Sequence, residues 1–201
     1  MSSIGENKEG ISSNVRIFCL AAPYPHKNLK IIPEVASLLR ENDPARVYCF
    51  IVTLPDNGPV VRKFWAMVEK YGVKDMIENA GRIKLQECPR FYASSDIVFL
   101  PTLLETFSAT YPEAMVMGKP IVTTDLDFAH DICGDAAAYY SPLSAEAAAK
   151  LLGQVAGDPR LRETLIANGQ NRLKYFPSPQ QKYRMMLQWI QEVADRDRKS
   201  I

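Results

Sequence analysis

The stretch DIVFLPTLLETFSATYPEAMVMGKPIVT, residues 96–123, decides the fold. Its continuous apolar run at 97–100 is typical of a parallel strand that is buried on both faces. A polar turn and a helical segment follow, and Gly118 suits the position after a helix where a positive φ is needed. Because a second apolar run begins at Ile121, the stretch predicts one strand–helix–strand unit of an α/β fold.

Two carboxylates, Glu105 and Glu113, lie between these strands. Eight positions within one helix would rotate them by about 80° from each other. They share a site more easily when Glu105 lies in the loop and Glu113 in the helix. Ligands of open α/β sheets bind at the carboxyl ends of the strands, and a helix N-terminus attracts phosphate. Free backbone N–H groups are expected there at Thr106, Phe107, Ser108 and Ala109.

Both carboxylates also have a structural interpretation. Thr110 and Glu113 have the spacing of a capping box, in which Glu113 folds back onto the helix start. Glu105 by itself fits a solvated loop acid. The residues alone leave these alternatives open, and capping and ligand binding need not exclude each other.

The segment from Glu105 to Glu113, followed by AMVMGKPIV, resembles the E-x7-E motif of the family 4 retaining glycosyltransferases. It is similar to the C-terminal, nucleotide-sugar-binding domain of their GT-B fold. The similarity extends over about residues 15–177, with Lys27-Asn28 and the later Gly134-Asp-Ala-Ala segment in the family's order. The resemblance implies an α/β domain with a Rossmann-like, doubly wound parallel sheet, one half of a GT-B fold.

The resemblance also implies roles for these residues. Glu113 would accept hydrogen bonds from the ribose hydroxyl groups of a nucleotide sugar, and Glu105 would hold the hydroxyl groups of its sugar. Lys27 and the N–H groups of 107–109 would hold the diphosphate, whose charge must be stabilised as it leaves. Lys27 and Glu105 are therefore the catalytic candidates. The implied reaction is glycosyl transfer with retention, without an obligatory metal or other cofactor.

Two positions depart from the family pattern. Ala22 stands where the family usually has an arginine, so one of two expected phosphate-binding cations is absent from its usual place. Ser108 stands where glycine is usual, but a serine can still present its N–H group. Ala22 keeps open an alternative function, a non-catalytic nucleotide-sugar-binding or scaffold subunit that needs a partner chain.

The predicted domain organisation is a flexible tail or linker at 1–14, the nucleotide-sugar-binding domain at 15–177 and a C-terminal helix at 178–201. Members of the resembling family have an N-terminal acceptor-binding domain before the first strand. We therefore expect half of an enzyme, either a piece of a longer protein or a natural subunit, that is inactive by itself.

The C-terminal helix has apolar residues at helical spacing, with Trp189 on a neighbouring face. These are Tyr183, Met186, Leu187, Ile190 and Val193. In the resembling fold the terminal helix packs on the N-terminal domain, so we expect its apolar surface to be exposed here and to allow self-association. The alternative is that the helix packs fully on its own domain.

The remaining chain alternates between strand and helix patterns. Strands are predicted at 15–21, 47–53, 82–85, 97–100, 121–123 and 136–140, and longer helices at 29–40, 60–71, 144–155, 158–174 and 180–195. Asn28, Ser144 and Asp158 are the expected N-caps of three of these helices.

Composition excludes several classes of function. The 201 residues carry a net charge of +1, which gives no support to nucleic-acid or anionic-membrane binding. No apolar run approaches the ~20 residues of a membrane span. Four widely spaced cysteines and two histidines argue against a zinc site and for reduced thiols. We expect a cytoplasmic protein, with peripheral membrane attachment of a longer chain as an alternative.

Asp125 and Asp127 superficially match the D-x-D motif of metal-dependent glycosyltransferases of the GT-A class. Two carboxylates after a strand can hold a divalent cation on a diphosphate. A three-residue acidic motif is weak, however, and the acids also fit a loop or a helix cap. We therefore predict no metal site.

Overall fold

The computed structural model describes residues 14–199. Within them, six strands form one parallel sheet in the order β3-β2-β1-β4-β5-β6. The strands are β1 (Asn14–Cys19), β2 (Val47–Val52), β3 (Ile77–Asn79), β4 (Ile97–Leu100), β5 (Ile121–Thr124) and β6 (Ala137–Tyr140). The fold class predicted from the sequence is confirmed.

Eight α-helices connect and follow these strands in the described part of the chain. They are α1 (Ile32–Asn42), α2 (Pro59–Tyr71), α3 (Cys88–Ala93), α4 (Thr110–Val116), α5 (Asp127–Cys133), α6 (Ala145–Gly157), α7 (Pro159–Arg172) and α8 (Pro179–Lys199). Short 3₁₀ turns lie at Pro25–Lys27, Leu29–Ile31, Lys74–Met76, Leu85–Glu87, Gly134–Ala136 and Leu173–Tyr175.

Alternate residues of each strand face opposite sides of the sheet, and each side has its own apolar core. Ile17 and Phe99 belong to the core beneath α1, α2 and α6. Phe18 and Val98 belong to the core beneath α3, α4 and α5. This two-sided burial explains why the strand sequences are almost continuously apolar.

The order of the strands fixes where a ligand can bind. β1 and β4 are neighbours, with Ile17 opposite Ile97, and the chain winds outward from them in both directions. The loops that follow these two strands therefore diverge and leave a crevice at their carboxyl ends.

Several helix termini are formed by the residues predicted from the sequence. Ser144 and Asp158 are N-caps whose side chains accept hydrogen bonds from the N–H groups of Ala147 and Leu161. Gly118, after α4, has φ 61°, a conformation that a residue with a side chain rarely adopts. These predictions are confirmed.

The strand predicted at 82–85 is wrong. The third strand is β3, which pairs with β2 through Phe50 and Ile77. The Asn79 side chain then accepts a hydrogen bond from the Leu54 N–H group and donates one to its carbonyl oxygen, which ends the pairing. Leu85 is 74% exposed and begins a 3₁₀ turn.

Asn28 occupies the predicted N-cap position, directly before the helical segment that starts at Leu29, but its side chain does not cap that segment. Asn28 has φ 49° and makes no side-chain capping bond, and α1 begins four residues later, at Ile32, after a 3₁₀ turn. The predicted tail at 1–14 lies outside the described residues apart from Asn14, the first residue of β1.

Candidate functional site

The loops after β1 and β4 are joined by a backbone hydrogen bond. The N–H group of Leu103 donates to the carbonyl oxygen of His26 over 2.7 Å. Lys27 ends a 3₁₀ turn in the first loop, and its N–H group donates to the Tyr24 carbonyl oxygen. The crevice between β1 and β4 therefore has Lys27 on one wall and the loop that contains Glu105 on the other.

Lys27 and Glu105 form an ion pair across this crevice, from Nζ to Oε1. The Lys27 side chain is 17% exposed and that of Glu105 is 9% exposed, so neither group is a freely solvated loop charge. Thr102 donates a second hydrogen bond to the same carboxylate oxygen over 2.9 Å. The interpretation of Glu105 as a solvated loop acid is wrong.

The Lys27 pocket is small and mostly apolar. Its lining consists of Leu20, Ala21, Lys27, Leu29, Phe99, Leu100, Pro101, Thr102, Glu105 and Ser108. Lys27 is the one cationic side chain in this lining, and Ala22 lies on the exposed surface nearby in sequence. An anionic ligand at this edge of the sheet would meet one lysine, which is already paired with a carboxylate.

Four of the seven residues between the carboxylates, 106–109, lie in the loop before α4. Thr106, Phe107 and Ala109 are exposed and Ser108 is half-buried. Between residues 14 and 199, no acceptor takes a hydrogen bond from the N–H groups of 106–109. The sequence prediction of free donors at this edge therefore agrees with the structure of the loop.

Glu113 lies in the first turn of α4 and lines a different pocket. The Tyr92 hydroxyl donates to its Oε2 over 2.9 Å. Burial of the phenol, and secondly the charge of Glu113, raises the pKa of Tyr92 above its usual value. The predicted capping box is absent, because Ala109 is the N-cap and makes no side-chain bond.

An apolar groove of about 450 Å³ borders Glu113. Its apolar lining is formed by Leu85, Cys88, Pro89, Ala109, Pro112, Val116 and Met117. This volume lies within the range of small-molecule sites. Glu105 and Glu113 thus line two different pockets, and the loop at 106–109 contributes Ser108 to the first and Ala109 to the second.

Sequence reasoning missed two polar contacts at this site. The sequence gives Thr102 no role beyond that of a pocket-wall residue, yet in the structure it bonds to Glu105. Tyr92 was assigned no role, and no motif indicates that its hydroxyl reaches Glu113 from α3. The position of Thr102 directly after Pro101, at the end of a predicted strand, is the feature that points to it in hindsight.

The D-x-D acids form no cluster in the structure. Asp125 Oδ1 lies 2.6 Å from His130 Nε2, and Asp127 is the first residue of α5. Within residues 14–199, no three His, Cys, Asp or Glu side chains are close enough together to hold a metal ion. No helix in the same range has the length and apolar character to cross a lipid bilayer.

Comparison with known proteins identifies the family. The profile of "Glycosyl transferases group 1" matches residues 6–172. Over 170 residues the chain is 28% identical to the MMP alpha-(1->4)-mannosyltransferase of Mycolicibacterium hassiacum, covering 82% of this chain and 40% of that protein. The chain thus spans less than half the length of this curated relative.

Solved structures share the fold. Anabaena Alr3699/HepE in complex with UDP and glucose superposes with a TM-score of 0.74 at 18% identity, over 91% of this chain and 48% of that one. The C-terminal domain of the group 1 glycosyl transferase LpcC from Francisella tularensis gives 0.65 at 21% identity, over 80% and 84%. The parallel sheet is therefore that of a GT-B domain, and the chain belongs to the group 1 glycosyl transferase family.

Proposed function

We propose that the chain is the donor-binding half of a retaining glycosyltransferase, which binds a nucleoside-diphosphate sugar at the carboxyl ends of β1 and β4. The observation behind this proposal is the meeting of Lys27 and Glu105 across the crevice, beside a groove that contains Glu113. A cation, two carboxylates and free N–H groups are the functional groups with which a protein can bind a nucleotide sugar.

The diphosphate is assigned to Lys27 and the N–H groups of 107–109. Departure of a nucleoside diphosphate leaves negative charge on its terminal phosphate oxygens, which an ammonium group and backbone donors stabilise. Lys27 has only to leave Glu105 in part, since an ammonium group has three donors. No metal is required by this arrangement.

The nucleoside is assigned to the groove beside Glu113. Tyr92 binds Oε2 of this carboxylate, and Oε1 accepts no hydrogen bond from residues 14–199. A ribose hydroxyl group can donate to this free oxygen, while the apolar lining suits the faces of a nucleobase. The loop at 106–109 lies between the two pockets, where the diphosphate would join ribose to sugar.

The relatives narrow the choice of donor. HepE was solved with UDP and glucose, and the Mycolicibacterium relative is a mannosyltransferase. We propose a hexosyl donor carried by a nucleoside diphosphate, with uridine among the candidate nucleosides.

An N-terminal acceptor-binding domain, or a partner subunit, would complete the cleft. This proposal is supported by the 40% coverage of the mannosyltransferase relative. It is also supported by exposed apolar side chains on α8, among them Tyr183, Trp189 and Ile190. In the absence of a partner, the same surface would favour self-association of this chain.

A second candidate function is a non-catalytic nucleotide-sugar-binding or scaffold subunit. The specific observation in its favour is the single cation in the Lys27 pocket, with alanine at position 22. Binding without transfer, even after the N-terminal half is supplied, would favour this candidate.

A calorimetric screen tests the proposed function. The chain is titrated with UDP, GDP and ADP and with their hexose derivatives, in the presence and absence of EDTA. We expect one nucleotide series to bind, with the same affinity in both conditions. Failure of all three series to bind would contradict the proposal, and a strict requirement for Mg²⁺ or Mn²⁺ would return attention to Asp125 and Asp127.

A further inference from the structure

The Thr102 hydroxyl lies among three acceptors at the base of the Lys27 pocket. It is 2.9 Å from Glu105 Oε1, 3.3 Å from the His26 carbonyl oxygen and 3.4 Å from that of Leu104. The residue is only 3% exposed. A hydroxyl group has one proton to donate, so it serves one of these acceptors at a time.

The carboxylate is the preferred acceptor of that proton. It is the nearest of the three, and a hydrogen bond to a charged oxygen is stronger than one to a neutral carbonyl. Because the bond is shielded from water, the carboxylate gains more from it than an exposed acid would.

Thr102 is itself held from β5. The Thr124 hydroxyl, which is fully buried, donates to the Thr102 carbonyl oxygen over 2.7 Å. On the other side, the next residue along the chain bonds to His26. The Thr102 side chain therefore starts from a backbone that is fixed on two sides.

Both hydrogen bonds that other side chains donate to Glu105 are accepted by the same carboxylate oxygen. Lys27 and Thr102 bind Oε1, whereas Oε2 accepts no hydrogen bond from residues 14–199. If Lys27 turns toward a diphosphate, Thr102 becomes the principal remaining contact of this largely buried carboxylate. Without it the carboxylate would be free to rotate or follow Lys27.

We propose that Thr102 is a positioning residue for Glu105. It holds Oε1 while Lys27 binds the diphosphate, so that Oε2 remains available to the hydroxyl groups of the donor sugar. The inference rests on the proposed function, since it requires a nucleotide sugar at this site. It predicts that the Thr102 hydroxyl contributes to recognition of the sugar and not of the nucleotide.

The test compares a nucleotide with its sugar derivative in variants of the full chain. Thr102→Val removes the hydroxyl group at nearly constant volume, and Thr102→Ser keeps it. Affinities are measured by calorimetry for UDP against UDP-glucose and for GDP against GDP-mannose. Thr164→Val, which removes an exposed hydroxyl group on α7, is the matched control.

We expect Thr102→Val to leave the affinity for the nucleotide within about twofold of the wild-type value. The same substitution should weaken the affinity for the sugar nucleotide by about fivefold to tenfold. Thr102→Ser should restore wild-type affinity. In a Glu105→Gln background, Thr102→Val should add less than about a twofold effect, because the two residues act as a unit. If Thr102→Val does not fold, Thr102→Ala is measured in its place.

Three results would overturn the inference. If Thr102→Val lost affinity equally for the nucleotide and the sugar nucleotide, Thr102 would have only a structural role. An undiminished loss in the Glu105→Gln background would show that Thr102 does not act through Glu105. Absence of binding by the wild-type chain would refute the proposed function itself, and the inference with it.

Discussion

The Lys27–Glu105 ion pair connects two loops that are 78 positions apart in sequence. An ion pair with both partners mostly buried is weak evidence for stability, because desolvation offsets the attraction. Its placement at the carboxyl ends of two adjacent strands is better explained by ligand binding. We therefore regard the pair as the resting state of a site whose cation binds an anionic ligand.

Replacement of Lys27 tests this interpretation. Lys27→Ala should weaken nucleoside diphosphate binding by about 1–3 kcal/mol, because a charge-assisted hydrogen bond is lost and Glu105 is left without its counter-charge. Calorimetry of wild type and variant measures the difference. Lys30→Ala, an exposed lysine three positions along the chain, is the control and should bind normally. Unchanged affinity in Lys27→Ala would remove Lys27 from the site.

Tyr140 and Tyr111 offer a contrast between two buried hydroxyl groups. The Tyr140 hydroxyl has no hydrogen-bond partner in residues 14–199, whereas that of Tyr111 lies 2.8 Å from the Thr123 hydroxyl. Tyr140→Phe should therefore leave the free energy of unfolding unchanged or raise it slightly. Tyr111→Phe should lower it by about 0.5–1.5 kcal/mol. Urea denaturation compares the two, and a larger loss in Tyr140→Phe would contradict the expectation.

The bounds of some strands and helices could be predicted from the sequence, and those of others could not. The sequence predicted β4 at its observed bounds, because an unbroken apolar run between polar turns has few alternatives in an α/β chain. It misplaced β3, since the end of that strand is set by the Asn79 side chain bonding to Leu54, a contact between distant residues. It also missed the 3₁₀ turn that precedes α1.

The same distinction applies to the site. The meeting of Lys27 and Glu105 follows from the order of strands, which the βα alternation and the family resemblance indicated. The hydrogen bonds of Thr102 and Tyr92 depend on side-chain geometry between elements, which no local pattern encodes. The roles assigned to these residues in binding a nucleotide sugar stay predictions.

Helix α8 exposes several large apolar side chains. Trp189 is 64% exposed and Met186 is 56% exposed. Trp189→Gln should therefore change the free energy of unfolding by less than about 0.5 kcal/mol, and it should reduce any self-association seen by analytical ultracentrifugation. Trp65→Gln is the comparison. Because Trp65 is half-buried against the core, its replacement should lower the free energy of unfolding considerably more. Strong destabilisation by Trp189→Gln would show that α8 packs on its own domain.

The whole molecule should lose stability in alkaline solution. Burial raises the pKa of Tyr111 and Tyr140 above the usual value, and raises that of Cys133 to about 12. These groups stay protonated in the folded chain but ionise in the unfolded chain, which therefore binds fewer protons above about pH 9 for the thiol and about pH 10 for the phenols. The free energy of unfolding should then fall with rising pH, by up to about 1.4 kcal/mol per pH unit for each group.

Chemical denaturation between pH 8 and pH 11 measures this slope. Tyr140→Phe should make the slope shallower, because one buried phenol is removed. Tyr175→Phe should not alter it, since Tyr175 is 77% exposed. A stability that is constant over this range would contradict the prediction.

The proposal that another domain or subunit completes the cleft predicts the activity of the isolated chain. Transfer requires an acceptor held against the donor sugar, and we assign the acceptor to a domain or subunit beyond this one. The chain should therefore bind its donor without appreciable transfer to simple sugar acceptors. Robust transfer by this polypeptide alone would overturn the proposal that it is half of an enzyme.

The proposed function requires that a nucleoside diphosphate binds at the carboxyl ends of β1 and β4. Titration of the labelled chain with UDP and with GDP, followed by backbone amide NMR, tests it most directly. We expect saturable shifts of the amide signals of residues 27, 105–109 and 113 for one nucleotide, with the amide signals of α8 unchanged. Shifts confined to other regions, or none at millimolar concentrations of either nucleotide, would contradict it.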